Sequence, residues 1–313
     1  MAYLKSSDVK MSAKHIIPGY DDPTCGIAVA AKQLIARNVG EEGELWVHSM
    51  WTPMVIKASF MALLAGKRLV RMPHGCTDPT KLAYHWHKKR WVAPIERWLF
   101  RRADRIVATC EDEVAWIKAF EPRVKKIEIV RLDNHVEHEE HVDLSGNDLN
   151  AESQSRRGGD AGAKLLHDST RSTRLLYVGR LHPLKGVEYL LEALPTDCKL
   201  VVIGKDDGEG KKLKKIVQRR GLDVEFMGVV SEAEKEAAYQ WCDALVLPTL
   251  SENFGLVIAE ALERGKRVIT TDGAPAWGDG NIYGGRLTYI VGFKAASPED
   301  RVSLLGKAIL GLS

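Results

Sequence analysis

One pattern occurs twice along the chain: a short β-branched or aliphatic run, a turn, an amphipathic stretch of helical period, and another short run. A parallel sheet with crossover helices is what such alternation builds. In the first half the predicted strands are 15–18, 45–49, 69–72, 105–109 and 127–131, with helical patterns between them such as 27–37 and 114–120. In the second half the strands are 175–179, 200–204, 224–227, 244–247, 267–271 and 287–291. Their helices include 187–193, one opened by the capping box of Ser231 and Glu234, 254–264 closed by Gly265, and 297–310. With 313 residues, 45% of them apolar, the chain is long enough for two such domains. The expected division is 1–136, a polar segment 137–172, and 173–313. The middle segment has almost no aromatic residues, many small polar ones and a Gly-Gly pair, so it reads as a linker or a disordered insertion. The fold class is α/β, with two doubly wound parallel-sheet domains facing across a cleft. Ligands then belong outside the carboxyl ends of the strands, between the domains.

The most specific signal lies in the second half. Directly after strand 175–179 comes Gly179-Arg180-Leu181-His182-Pro183-Leu184-Lys185-Gly186, a strand-to-helix turn that sets a guanidinium and an ammonium at a cleft edge beside a helix N-terminus. A pyrophosphate suits that arrangement. Taken alone, the two cations read more readily as solvated charges flanking a turn. After strand 244–247, Pro248 leads into Thr249-Leu250-Ser251-Glu252-Asn253-Phe254-Gly255-Leu256-Val257-Ile258-Ala259-Glu260-Ala261-Leu262. Glu252 falls in a loop and Glu260 within the following helix, while Asn253, Phe254, Gly255 and Leu256 present the free backbone N–H groups of the first turn. The loop carboxylate can accept hydrogen bonds from sugar hydroxyls, the helical one can hold a ribose diol, and the amides face phosphate. The plainer reading makes Glu260 a solvated helix-face residue and Glu252 a partner of the helix dipole.

These residues, with ALERGKRVITTD downstream, resemble the retaining GT-B glycosyltransferases of family 4, also called glycosyl transferases group 1. The resemblance covers 174–309 and rests on two motifs about seventy residues apart. It implies the GT-B fold, two Rossmann-like domains with the site in the cleft. By that resemblance Arg180 and Lys185 hold the diphosphate of a nucleotide sugar, Glu260 the ribose, and Glu252 the hydroxyls of the transferred sugar, with Asn253, Phe254, Gly255 and Leu256 lining it. The family works without a metal. No D-x-D follows a strand here, Asp206-Asp207 sitting in a turn, so neither a divalent ion nor another cofactor is expected. In the first half, Pro23-Thr24-Cys25-Gly26-Ile27 stands where the family has a Gly-Gly turn near the donor phosphates. Cys25 replaces the first glycine, and Gly26 is the residue expected at the diphosphate. LWVHSMW and RLVRMPHG are similar to the family's second landmark pair. That likeness places His74 at a strand end in the cleft, against the donor sugar near the reacting carbon. Glu252 and His74 are thus the expected catalytic residues, and His48 reads as structural. Only a few residues separate the helix ending near Asn38 from LWVHSMW, where the family inserts a further strand and helix, and the tail ends soon after helix 297–310. The N-terminal domain is therefore expected to be trimmed.

Charge sorts the partners. A total of 45 Lys and Arg against 42 Asp and Glu leaves +3, too little for a protein whose affinity rests on neutralising nucleic-acid phosphates. Residues 81–105, however, hold Lys81, Lys88, Lys89, Arg90, Arg97, Arg101, Arg102 and Arg105 against Glu96 and Asp104, a surplus of +6, interleaved with Trp86, Trp91, Trp98 and Phe100. This stretch reads either as a surface that meets anionic lipid headgroups or as a helix with inward tryptophans and solvated cations. His135, His138 and His141 stand among Glu137, Glu139 and Glu140 at the mouth of the polar segment, only approximately on one helical face, and no metal is assigned to them. Five widely spread cysteines without a C-x-x-C pair read as reduced thiols. The N-terminus lacks an apolar signal core, and no apolar run approaches the about 20 residues that span a bilayer. A cytoplasmic chain, peripheral at the inner face of a membrane if 81–105 meets lipid, is expected. The reading is retaining transfer of a sugar from a UDP- or GDP-linked donor to a hydroxyl of a glycan or lipid-linked acceptor in cell-surface polysaccharide or lipopolysaccharide synthesis. The alternative is a non-catalytic glycosyltransferase-like subunit that binds nucleotide sugar or a partner chain.

Overall fold

The computed structural model describes residues 14–18, 26–37, 39–130, 172–278 and 285–312. Cys25, the His135, His138 and His141 trio, and nearly all of the predicted polar segment lie outside the described residues.

The first sheet contains β1 (Lys14–Ile16), β2 (Glu44–His48), β3 (Arg68–Met72), β4 (Arg105–Ala108) and β5 (Ile127–Ile129), all parallel and neighbouring in chain order. Its helices are α1 (Gly26–Ala36), α2 (Pro53–Leu64), α3 (Pro79–Ala83), α4 (Trp86–Arg102) and α5 (Glu111–Phe120). The second sheet contains β6 (Arg174–Val178), β7 (Lys199–Ile203), β8 (Asp223–Gly228), β9 (Ala244–Leu247), β10 (Arg267–Thr271) and β11 (Leu287–Ile290), with α6 (Val187–Ala193), α7 (Gly210–Arg220), α8 (Glu232–Trp241), α9 (Leu256–Glu263) and α10 (Pro298–Leu310). Its order is β11-β10-β9-β6-β7-β8, also parallel. Winding therefore reverses between β6 and β9, and a crevice opens where the chain leaves those two strands in opposite directions. The first sheet shows no such reversal among the described residues, and β2 follows α1 without a further described strand.

Local chemistry explains the element ends. Thr52 and Ser297 cap α2 and α10 ahead of Pro53 and Pro298, and the Ser231–Glu234 capping box opens α8 as its sequence predicts. α9 begins two residues later than the pattern 254–264 implies. Gly255 adopts φ +73°, the left-handed conformation, and Phe254 turns its ring into the core before the helix starts. In the first domain, Arg71 of β3 and Glu96 of α4 form a fully buried ion pair at 2.8 Å. Glu96 also accepts the Trp51 N–H at 2.7 Å and Arg71 donates to the Ser49 carbonyl, so this pair ties the chain leaving β2 to α4. No helix among the described residues is long and apolar enough to cross a membrane.

Candidate active site

The second-domain wall of the cleft is made by the chain leaving β6 and β9. After β6, the His182 ring accepts the Leu184 N–H at 3.2 Å and starts a 3-10 turn, Pro183–Lys185. Gly186 follows at φ +68°, where any side chain would collide with the Pro248 carbonyl. That absence of a Cβ lets the two loops touch. Leu250 N–H and the Thr249 hydroxyl both donate to the Leu184 carbonyl, at 2.8 and 3.1 Å, and the Glu252 N–H donates to the Gly273 carbonyl at 2.7 Å. Lys185 and Glu252 are thereby forced together as an ion pair, each mostly shielded from solvent. Burial alone would raise the Glu252 carboxyl. The Lys185 and Lys81 ammoniums, with hydrogen bonds from Lys185 and the Asn253 N–H, outweigh it and hold Glu252 below the usual carboxylate range. Burial pushes the Lys185 ammonium down against the pull of Glu252. Arg180 stands half exposed at the rim, paired with Asp207 at 2.7 Å.

The first-domain wall is built differently. His74, just past β3, is buried and adopts φ +52°, followed by Gly75 at φ +68°. A non-glycine residue in this conformation needs its surroundings to hold it there. Glu113 of α5 does so, accepting hydrogen bonds from the Gly75 N–H and from both the N–H and hydroxyl of Thr109. Burial raises the Glu113 carboxyl despite those donors. The other side of His74 is held by the His48 ring, whose Nδ1 lies 2.8 Å from His74 Nε2. Burial, then the nearby Lys81 charge, push His74 down to about 3, so its imidazole is uncharged at neutral pH.

Several contacts join the walls. The Thr109 hydroxyl oxygen lies 3.0 Å from the Asn253 side-chain amide, Ser251 donates to the buried Asp78 carboxylate, and Lys294 lies 3.6 Å from Asp78. The Tyr84 and His182 rings meet edge to face at 5.1 Å. Between the walls lies a cavity of about 570 Å³. Lys81, Lys89, Arg180, Lys185 and Lys205 line it against Glu252 and Asp207, so it favours an anion. The first-turn N–H groups of α9, which have no acceptor within the helix, open on the same side.

Of the predicted site residues, His74, Arg180, Lys185, Glu252, Asn253, Phe254, Gly255 and Leu256 all line this cavity. Gly26 is the first residue of α1, and its neighbour Ile27 lines the cavity. Glu260 does not. It lies one turn beyond Val257 on α9, its carboxylate accepting the Tyr239 hydroxyl at 2.9 Å and standing 3.4 Å from the Lys235 ammonium.

The basic stretch 81–105 divides. Lys81 and Lys89 face the cleft, Arg101 pairs with Glu121, and Arg105 pairs with Glu44 and Glu128. Lys88, Arg90, Arg97 and Arg102 stay exposed, beside the exposed Trp86 and Trp91. Lys81 and Lys89 were thus hidden inside what reads as one surface charge run. Asp78, Glu113 and Thr109 carry no motif at all, and only their place after a strand end or in a first helical turn pointed toward the cleft.

Residues 165–278 match the family model described as Glycosyl transferases group 1, and 44–133 match the Glycosyl transferase 4-like domain. A phosphatidyl-myo-inositol mannosyltransferase of Mycobacterium leprae is 34% identical over 108 residues, 31% of this chain and 28% of that protein. The chain thus spans little more than a quarter of the length of the curated relatives first matched. Among solved structures, WaaG, a glycosyltransferase involved in lipopolysaccharide biosynthesis, superposes with a TM-score of 0.62 at 16% identity, covering 95% of this chain and 90% of that one. Anabaena Alr3699/HepE, solved with UDP and glucose, superposes with a TM-score of 0.58 at 17% identity, covering 92% and 74%.

Proposed function

The chain has the GT-B fold of a family 4-like glycosyltransferase, and from that premise we propose that it moves a sugar from a UDP- or GDP-linked donor to a hydroxyl of a glycan or lipid-linked acceptor, with retention and without a metal. One observation carries the reading: the loops at the winding reversal put Lys185, Glu252 and the α9 N-terminus on one cavity wall, with Arg180 at its rim. Cleavage of a sugar–diphosphate bond builds negative charge on the departing phosphate, and these groups are already oriented to meet it. Glu252, held ionised by Lys185, accepts hydrogen bonds from sugar hydroxyls. His74, uncharged, faces the sugar from the other wall.

In this mechanism the C1–oxygen bond to the diphosphate breaks and a C1–oxygen bond to the acceptor forms on the same face of the sugar. The acceptor's proton passes to the leaving phosphate oxygen, so no protein base is required. Glu260, mid-helix in α9 and one turn beyond the cavity wall, is kept as the residue proposed for the ribose, its carboxylate held by Tyr239 and Lys235. A lipid-linked acceptor is favoured by the outer wall of the first domain. There α2 and α4 pack together, Phe60 stacking on Trp98 at 5.3 Å, and leave Met61, Leu64, Trp91 and Ile95 exposed beside Lys88 and Arg90. The relatives named for phosphatidyl-myo-inositol and for lipopolysaccharide point the same way.

The test is incubation with UDP- and GDP-sugars, reading released or transferred sugar and its anomeric configuration by NMR. One donor is expected to turn over with retention, and Lys185→Ala to lose on the order of a hundredfold in rate. Unchanged turnover in Lys185→Ala overturns the assignment of Lys185. Binding of a donor without any turnover by the intact chain favours the non-catalytic subunit instead.

A further inference from the structure

Three histidines stand in a row across the carboxyl edge of the first sheet: His15 in β1, His48 at the end of β2, and His74 just past the end of β3. His15 Nδ1 lies 3.0 Å from His48 Nε2, and His48 Nδ1 lies 2.8 Å from His74 Nε2. Their rings stack in sequence with centroids 5.3 and 5.1 Å apart, and Trp46 covers His15 at 5.3 Å. Four of the six ring nitrogens are therefore used within the row, leaving one at each end. At the outer end His15 makes a hydrogen bond with the backbone of Val39, and with Nδ1 engaged by His48 this bond falls to Nε2. At the inner end, Nδ1 of His74 is left on a ring that lines the cavity.

Burial keeps all three rings neutral, so each carries one N–H and one lone pair. The Val39 N–H is already donated to the Leu34 carbonyl at 3.0 Å, so Val39 meets His15 with its own carbonyl, which only accepts; His15 therefore carries its proton on Nε2 and offers a lone pair at Nδ1. His48 must then donate from Nε2, which leaves its Nδ1 as an acceptor, and His74 must donate from its own Nε2. Any other setting would point two N–H groups or two lone pairs at each other inside the domain, a costly buried mismatch.

We propose that His15 and His48 are positioning residues that lock His74 in its Nε2–H tautomer, so that the nitrogen His74 turns to the cavity is a fixed hydrogen-bond acceptor for a substrate hydroxyl. This rests on the sugar-transfer reading for the identity of the hydroxyl, but the tautomer itself is a property of the free protein. The lock also explains why a ring facing a cationic pocket stays available as an acceptor. An imidazole free to change tautomer would present a donor or an acceptor there, whereas this one presents an acceptor only.

Long-range proton–nitrogen NMR of the 15N-histidine-labelled chain at neutral pH reads the tautomers without any ligand. His15, His48 and His74 are expected to show a protonated Nε2 and a bare Nδ1. A protonated Nδ1 on His74 or His48 overturns the proposal, whatever the protein binds. As a second readout, His48→Phe is expected to let His74 populate both tautomers and to lower kcat with the accepted donor about tenfold. His48→Gln, which can still donate and accept, is expected to recover most of that rate, and binding of the nucleoside diphosphate alone to stay unchanged in both variants. Equal rates for the His48→Phe variant and the parent chain also overturn it. Failure of every donor to turn over, with the predicted tautomers present, counts against the sugar-transfer reading and not against the lock.

Discussion

The second-domain wall of the cleft presents a tied ion pair and an arginine to the cavity, whereas the first-domain wall presents the neutral His74 at its sheet edge beside two lysines, Lys81 and Lys89, on α3 and α4. Across β6 and β9, Arg180, Lys185 and Glu252 reach the cavity directly, from loops tied to each other by backbone bonds. At the edge formed by β1, β2 and β3, the neutral His74 reaches the cavity, with Lys81 and Lys89 beside it from α3 and α4, and the carboxyl and ion pair behind it, Glu113 and Arg71–Glu96, are sealed from solvent. In the proposed transfer, a departing phosphate needs fixed positive charge on one side. The hydroxyls of the proposed sugar need fixed donors and acceptors on the other. Damage to the sealed ions behind the first wall should therefore appear as lost stability, and damage to the ion pair on the second wall as lost binding.

The largest effect that could break this comparison comes from Arg71→Ala, which leaves Glu96 buried without its partner. It should cost about 3–5 kcal/mol in urea unfolding. Replacing both partners with apolar residues of similar volume should recover most of it, and a loss below 1 kcal/mol in the single variant, about the worth of an exposed pair, would show the wall to be wet instead of sealed.

Acid comes next. Burial lowers His15 to about 4 and His74 to about 3, against about 6.5 in an unfolded chain. Between those values the unfolded state binds more protons, so stability is full above pH 6.5 and falls as pH falls, by up to about 1.4 kcal/mol per pH unit for each ring. Glu113, raised by burial, works in the opposite sense and trims the slope. The urea midpoint should drop between pH 7 and 5, and less steeply in His15→Gln. A flat profile in the parent chain would remove the case for neutral buried imidazoles.

Smaller again is Ser251→Ala, which deletes a hydrogen bond to the buried Asp78 across the cleft. Closure of the two domains should weaken by about 1.5–3 kcal/mol, read as a larger radius of gyration in solution scattering and a raised donor KM. No change in either would mean that the walls are held together elsewhere.

Legibility follows the same divide. The anion-binding wall is written in two contiguous runs, because loops at strand ends and helix first turns carry their ligating groups within a few residues of one another. GRLHPLKG and the segment from Glu252 to Leu256 land in the cavity for that reason. Both parallel sheets were legible from apolar runs, with most strand ends within a residue or two. The polar wall is assembled from partners 26, 33 and 38 residues apart, and no local spacing announces them. His48 reads as structural in isolation, and only the register that sets β1, β2 and β3 side by side puts it between His15 and His74. Lys81 and Lys89 were masked by their basic neighbours, since the side of α3 and α4 that faces the cleft depends on how those short helices pack on the sheet. The late start of α9 turned on one left-handed glycine, Gly255, which a hydrophobic pattern does not register.

Calorimetric titration with UDP and with GDP, in the intact chain and in Lys185→Ala, tests the cleft most directly. One nucleoside diphosphate is expected to bind per chain without added metal, weakened strongly by salt, and at least tenfold more weakly once Lys185 is gone. Absence of binding by either nucleotide to the intact chain, or equal affinity in the variant, would contradict this expectation.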